Sequence, residues 1–114
     1  SAVAWKASAG AAARTPVTQI RNLVATIQEV QKEGYFVIGL DADGEALIGE
    51  LAAATEPLLL IVGGEGKGLS RLVREHCDLV VSIPMSSEME SLNASIAAAI
   101  ALFSISEKRL LNVL

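Results

Sequence analysis

Apolar positions along the chain change period several times, and each change marks an element. Ile20, Leu23, Val24, Ile27 and Val30 recur at i, i+3, i+4, i+7 and i+10, one face of an amphipathic helix, with Asn22, Thr26, Gln28, Glu29 and Lys32 on much of the other. Gly34 stands where a left-handed residue would end that helix. Tyr35–Leu40 (YFVIGL) is a continuous β-rich apolar run, the pattern of a strand buried on both faces of a parallel sheet. Asp41-Ala-Asp43-Gly44 reads as a turn, and residues 45–56 fit either a short helix or a loop with a strand. Pro57 introduces a second strand, Leu58–Val62. A glycine loop (63–68), a short helix (69–76) with Arg71, Arg74 and Glu75 outward, and a third strand, Leu79–Ile83, follow. The last helix spans 91–107 and is apolar nearly all round from Ile96 to Phe103, so it must be enclosed by protein. This alternation of helices and strands predicts an α/β fold with a parallel sheet.

Composition narrows the class. With 114 residues the chain is one domain, and its 52% apolar content excludes a disordered chain. Only 4% of residues are aromatic, so the apolar surface suits close packing of helices on a sheet rather than a platform for stacked bases. No apolar run approaches the roughly 18–20 residues of a bilayer span, so no membrane partner is expected. The net charge of −4 argues against a basic nucleic-acid footprint on this stretch of chain. The lone cysteine, Cys77, allows no internal disulfide and fits a reducing, cytoplasmic setting.

Chemistry concentrates between residues 58 and 103. Gly63-Gly-Glu-Gly-Lys-Gly68 follows a strand and precedes a helix, where open α/β sheets bind ligands outside the carboxyl ends of their strands. It is not a Walker A loop, because Leu69-Ser70 occupies the Lys-Ser/Thr position, and it is one residue short of the dinucleotide fingerprint. By glycine content alone it is equally a tight turn. Ile83-Pro84-Met85 ends a strand with a rigid proline; a main-chain pocket with apolar walls there would hold an adenine ring, and an ordinary turn is the plainer alternative. Ser91 or Asn93 can cap the last helix, leaving the other for substrate. Glu65 is the loop's one acid, and such loop charges are commonly just solvated. His76 and Cys77 lack a second His/Cys pair, so no metal is called for and helix-end packing accounts for them.

Taken together, these segments resemble the SpoU (TrmH-type) branch of the SPOUT RNA methyltransferases. Leu58–Arg71 (LLLIVGGEGKGLSR) is similar to the family's motif 2, and Ser82–Ala99 (SIPMSSEMESLNASIAAA) to its motif 3. Lys6-Ala-Ser-Ala-Gly-Ala11, Pro16-Val17 and Asn22-Leu23 resemble its lead-in. Arg74-Glu-His-Cys-Asp78 most resembles the large-subunit (23S) rRNA guanosine 2′-O-methyltransferases. The resemblance implies the C-terminal part of a SPOUT-type parallel sheet flanked by helices, with a deep trefoil knot, an exception to the rule that chains do not thread loops. It further implies a homodimer and S-adenosylmethionine (AdoMet) as cofactor. Gly63, Ile83 and Leu92 would contact AdoMet through main-chain atoms, with Leu40, Gly64 and Met85 close by. Glu65, Ser91 and Asn93 would line the substrate side, and the apolar helix would thread the knot and face the dimer partner. The implied reaction is methylation of a ribose 2′-hydroxyl in structured RNA, with rRNA the expected substrate; the alternative is a non-catalytic α/β binding or dimerisation module. The family's motif 1, with its Asn-x-Gly-x-x-x-Arg arginine, is missing, as is a basic RNA-binding domain. Residues 1–114 are therefore expected to be the C-terminal portion of a longer methyltransferase, able to bind AdoMet and inactive alone.

Overall fold

A computed structural model of the chain describes residues 22–52, 56–63, 68–84 and 94–113. Its elements are α1 (Leu23–Lys32), β1 (Phe36–Leu40), β2 (Ala46–Leu47), a 3₁₀ turn (Ile48–Glu50), β3 (Leu58–Val62), α2 (Arg71–His76), β4 (Leu79–Ser82) and α3 (Ala94–Val113). The four strands are all parallel and lie in the order β2-β4-β1-β3. Leu40 pairs with Val62 on one side and Val81 on the other, so β1, β3 and β4 end at one level.

Local signals in the sequence explain the helix ends. The Asn22 side chain accepts the Ala25 amide at 3.1 Å and so caps the start of α1. At the other end Gly34 has φ +94°, its N–H donates to the Gln31 carbonyl, and Tyr35 N–H donates to the Val30 carbonyl. These two bonds satisfy carbonyls the helix leaves over, and the positive φ is why glycine suits the position. Ser70 caps α2 in the same way, accepting the Val73 amide at 3.2 Å.

Alternation along the strands divides the core into two layers. Ile38, Leu40 and Val81 face α3, where they pack with Ile48, Leu51, Ala101 and Ile105. Val37 and Ile61 face the opposite way and pack with Ile27 of α1, flanked by Leu23, Val30, Leu69, Val73 and Cys77. Gly39 shares that second face: a side chain there would collide with Leu69 Cδ1 and Cys77 Sγ, so its absence lets the start and end of α2 close onto the central strand. Ile27, Val37, Ile38 and Val81 are the largest fully buried side chains. Burying one such side chain contributes about 1.5–3 kcal/mol.

Two expectations change. Residues 45–56 contain a two-residue edge strand followed by a 3₁₀ turn, whose Ile48 is buried. The last helix runs to Val113 rather than stopping near 107, because Lys108 and Arg109 reach back to the carbonyls of Leu51 (3.3 Å) and Glu56 (2.6 Å). The prediction that this helix is enclosed all round meets only half its match within one chain. Ala101 and Ile105 are buried, whereas Phe103, Leu110 and Leu111 are 67%, 63% and 64% exposed.

Candidate cofactor edge and the glycine loop

The crossover from β3 to β4 passes over β1, which lies between them in the sheet. The carboxyl end of β1 thus lies between those of β3 and β4, on the usual ligand side of such sheets. Three of the residues expected to hold cofactor meet there. Leu40 is the last residue of β1, Gly63 follows Val62 of β3, and Ile83 follows Ser82 of β4. Leu40 is buried, and Ile83 and Val62 pack against the same core cluster. The other expected site residues, Gly64, Glu65, Met85, Ser91, Leu92 and Asn93, lie outside the described residues.

Both ends of the glycine loop are described, and they meet. A side chain on Gly63 would fall on the carbonyl group of Gly68, so the two main chains lie in contact that only glycine at 63 permits. Gly68 has φ +67°, in the left-handed region where other residues are strained. The loop thus leaves β3 and returns to nearly the same place before α2 begins.

Asp41 holds that return, a role its turn-like sequence did not suggest. Its Oδ2 accepts the Leu69 amide at 3.0 Å and an Arg74 Nη1 proton at 3.2 Å, while Oδ1 accepts the Ala42 amide at 2.7 Å. Its side chain is only 15% exposed. Arg74, expected to face outward from the short helix, instead folds against the 41–44 turn with its side chain 33% exposed. Nη1 also donates to Asp43 Oδ1 at 2.8 Å, and Nη2 to the Asp43 carbonyl at 3.1 Å. That hydrogen bond, with the guanidinium charge, holds the exposed Asp43 carboxyl below its ordinary value. Arg71 and Glu75 do face solvent, joined by an i,i+4 pair at 2.9 Å. The signal for Asp41 and Arg74 was the unlike charge on two segments that the sheet order brings together.

His76 and Cys77 are accounted for by helix-end contacts. His76 Nδ1 lies 2.9 Å from the Leu72 carbonyl, one turn back in α2. Cys77 packs beneath the sheet, and burial, with the adjacent Asp78 charge, pushes its thiol up. Among the described residues no group of three or more His, Cys, Asp or Glu is placed to hold a metal ion. No helix among them is long and apolar enough to cross a membrane.

The SpoU rRNA methylase family matches residues 1–103. The chain belongs to that family. Among SpoU relatives, an uncharacterized tRNA/rRNA methyltransferase of Mycolicibacterium paratuberculosis is 55% identical over 109 residues, covering 96% of this chain and 35% of that protein. The chain spans about a third of the length of the curated relatives it matches. Among solved structures, the SpoU methyltransferase AviRb from Streptomyces viridochromogenes, in complex with AdoMet, superposes with a TM-score of 0.76 at 30% identity, over 90% of this chain and 42% of that one. An RNA 2′-O ribose methyltransferase superposes with a TM-score of 0.66 at 29% identity, over 75% of this chain and 33% of the other. The parallel sheet flanked by helices is thus the SpoU architecture.

Proposed function

We propose that this chain is the cofactor-binding part of an AdoMet-dependent RNA methyltransferase that modifies a ribose 2′-hydroxyl of structured RNA. The observation that carries it is the convergence of Leu40, Gly63 and Ile83 on one carboxyl edge, beneath a loop closed glycine against glycine. That edge suits an adenosyl group. Leu40, Gly63 and Ile83 bring main chain and aliphatic surface without fixed charge, and the adjacent Asp41 carboxylate is already occupied by Leu69, Ala42 and Arg74. The AdoMet complex of AviRb supports the cofactor, and the RNA 2′-O ribose methyltransferase supports the acceptor.

When bound, AdoMet supplies an electrophilic methyl on a sulfonium. The residues of this chain would hold that methyl against the ribose 2′-hydroxyl. Catalysis of that kind depends mainly on positioning. Glu65, Ser91 and Asn93 are the proposed substrate-side residues, and Gly64, Met85 and Leu92 complete the proposed cofactor contacts. The motif 1 arginine and the RNA-binding surface would come from other parts of a longer protein, in keeping with the acidic charge here. The resemblance of residues 74–78 to the large-subunit rRNA guanosine 2′-O-methyltransferases supports rRNA as the substrate. The exposed apolar face of α3 supports a homodimer, and membership of the SpoU family supports a trefoil knot.

Isothermal calorimetry with AdoMet and S-adenosylhomocysteine tests the reading. Binding to the 114-residue chain is expected; no binding by the chain or by the full-length protein would leave a non-catalytic α/β module as the better description.

A further inference from the structure

We propose that Asp41, oriented by Arg74, is a positioning residue that fixes the two ends of the glycine loop and thereby the affinity for cofactor. This rests on the carboxyl edge being the cofactor site. Asp41 is the residue after Leu40, so it stands at the carboxyl end of β1, an inner strand of the sheet. Its Oδ2 takes the Leu69 amide, the first peptide donor beyond the loop, and lies close to Gly68 itself: a side chain on Gly68 would come within 2.8 Å of it. Because Gly68 also rests against Gly63, fixing the exit fixes the entry. One carboxylate thus determines where both ends of the loop lie.

Arg74 makes that arrangement stiff. Its guanidinium spans Asp41 Oδ2, Asp43 Oδ1 and the Asp43 carbonyl, a fork that a lysine could not reproduce. Turn 41–44, the start of α2 and the loop exit therefore move together. Leu69 adds a second constraint, since its side chain sits over Gly39 in the second core layer. With its oxygens taken up by three donors, Asp41 acts through the loop rather than on a reacting atom. Sites that hold ligands by main chain have no side chain to readjust, so a displacement of the loop exit passes directly to the ligand.

The test uses the full-length protein with Asp41→Asn, Asp41→Ala and Arg74→Ala, and Asp78→Ala as a control. Asp78 lies just before β4, at the amino edge of the sheet, and its loss should lower stability without touching the loop. Two readouts are taken: hydrogen exchange of the Leu69 amide without cofactor, and AdoMet affinity by calorimetry. Asp41→Ala is expected to speed Leu69 exchange at least tenfold and to weaken AdoMet about tenfold, the scale of one charge-assisted hydrogen bond. Asp41→Asn, which retains an acceptor and the fold, should fall between. Arg74→Ala should weaken AdoMet by less than Asp41→Ala, and the double variant by no more than Asp41→Ala alone. Asp78→Ala should lower the melting temperature and leave the AdoMet affinity of the folded protein unchanged. Leu69 exchanging at the wild-type rate in folded Asp41→Asn, or equal AdoMet affinity in both Asp41 variants, would overturn the proposal. Wild-type protein that fails to bind AdoMet would overturn the cofactor site, while the exchange arm would still report whether Asp41 holds the loop.

Discussion

Asp78 and Val37 bind each other twice: the Asp78 carboxylate accepts the Val37 amide at 2.7 Å, and the Asp78 amide donates to the Val37 carbonyl at 2.8 Å. The same carboxylate receives Gln31 Nε2 at 3.2 Å, so α1, β1 and β4 are joined at one atom. Asp78→Ala would leave the Val37 amide, at a fully buried residue, without its acceptor. The expected loss is about 1–2 kcal/mol of folding stability. Urea denaturation of wild-type and variant chains measures it, and an unchanged midpoint would rule the bond out as a stabilising one.

Glycine at 63 and 68 is required for different reasons, which substitutions can separate. Gly63→Ala forces a methyl onto the Gly68 carbonyl, so the loop must open. Its expected effect is on AdoMet binding, below detection by calorimetry, in a chain that still folds. Gly68→Ala keeps a left-handed residue under strain, costing about 1–2 kcal/mol, and crowds the Asp41 carboxylate as well. Circular dichroism melts together with AdoMet titrations distinguish the two. A Gly63→Ala chain that binds like wild type would contradict the closed loop.

On α3, Ile100, Phe103, Leu110 and Leu111 are exposed large apolar residues, 39%, 67%, 63% and 64% exposed. If a second copy covers this face, Phe103→Glu converts dimer to monomer, because a carboxylate would be buried without a partner. Analytical ultracentrifugation reads the outcome. Since Phe103 contributes little to its own chain's core, the monomer should keep its far-ultraviolet spectrum. A Phe103→Glu protein that stays dimeric would place the interface elsewhere.

The Asp43 carboxyl titrates below the ordinary aspartate value of 3.8 through its hydrogen bond to Arg74. A carboxyl whose folded value is depressed contributes stability above its unfolded value, and loses it as pH falls through the folded one. The contribution should therefore be complete at neutral pH and disappear only below about pH 4. It is small, because Asp43 is exposed. Carbon-13 titration of the Asp43 carboxyl should show its midpoint rising in Arg74→Ala; equal midpoints would remove Arg74 as the cause.

Much of the scaffold was legible because its signals are local. The period of Leu23–Val30, the glycine at 34 and the apolar runs at 36–40, 58–62 and 79–82 each fix an element from neighbouring residues alone. β2 was ambiguous because two residues carry no period, and it exists through pairing with Val81 and Ser82. Extension of α3 to Val113 likewise depends on Lys108 and Arg109 finding carbonyls more than fifty residues away. At the site, Leu40, Gly63 and Ile83 could be placed on one edge as soon as the strands were known to be parallel. Asp41, Arg74 and Asp78 could not, because each has its partners in distant segments and a lone acid or base looks solvated until the sheet order is known.

α2 has six residues, far too few to persist as a helix by itself. It survives because Leu69 and Arg74 are fastened to Asp41, while Gln31 reaches the His76 carbonyl and Asp78 at its other end. Such a segment has no partial melting of its own to report. Its amides should exchange only when the sheet itself opens, so the shortest α-helix among the described residues becomes a gauge of global unfolding.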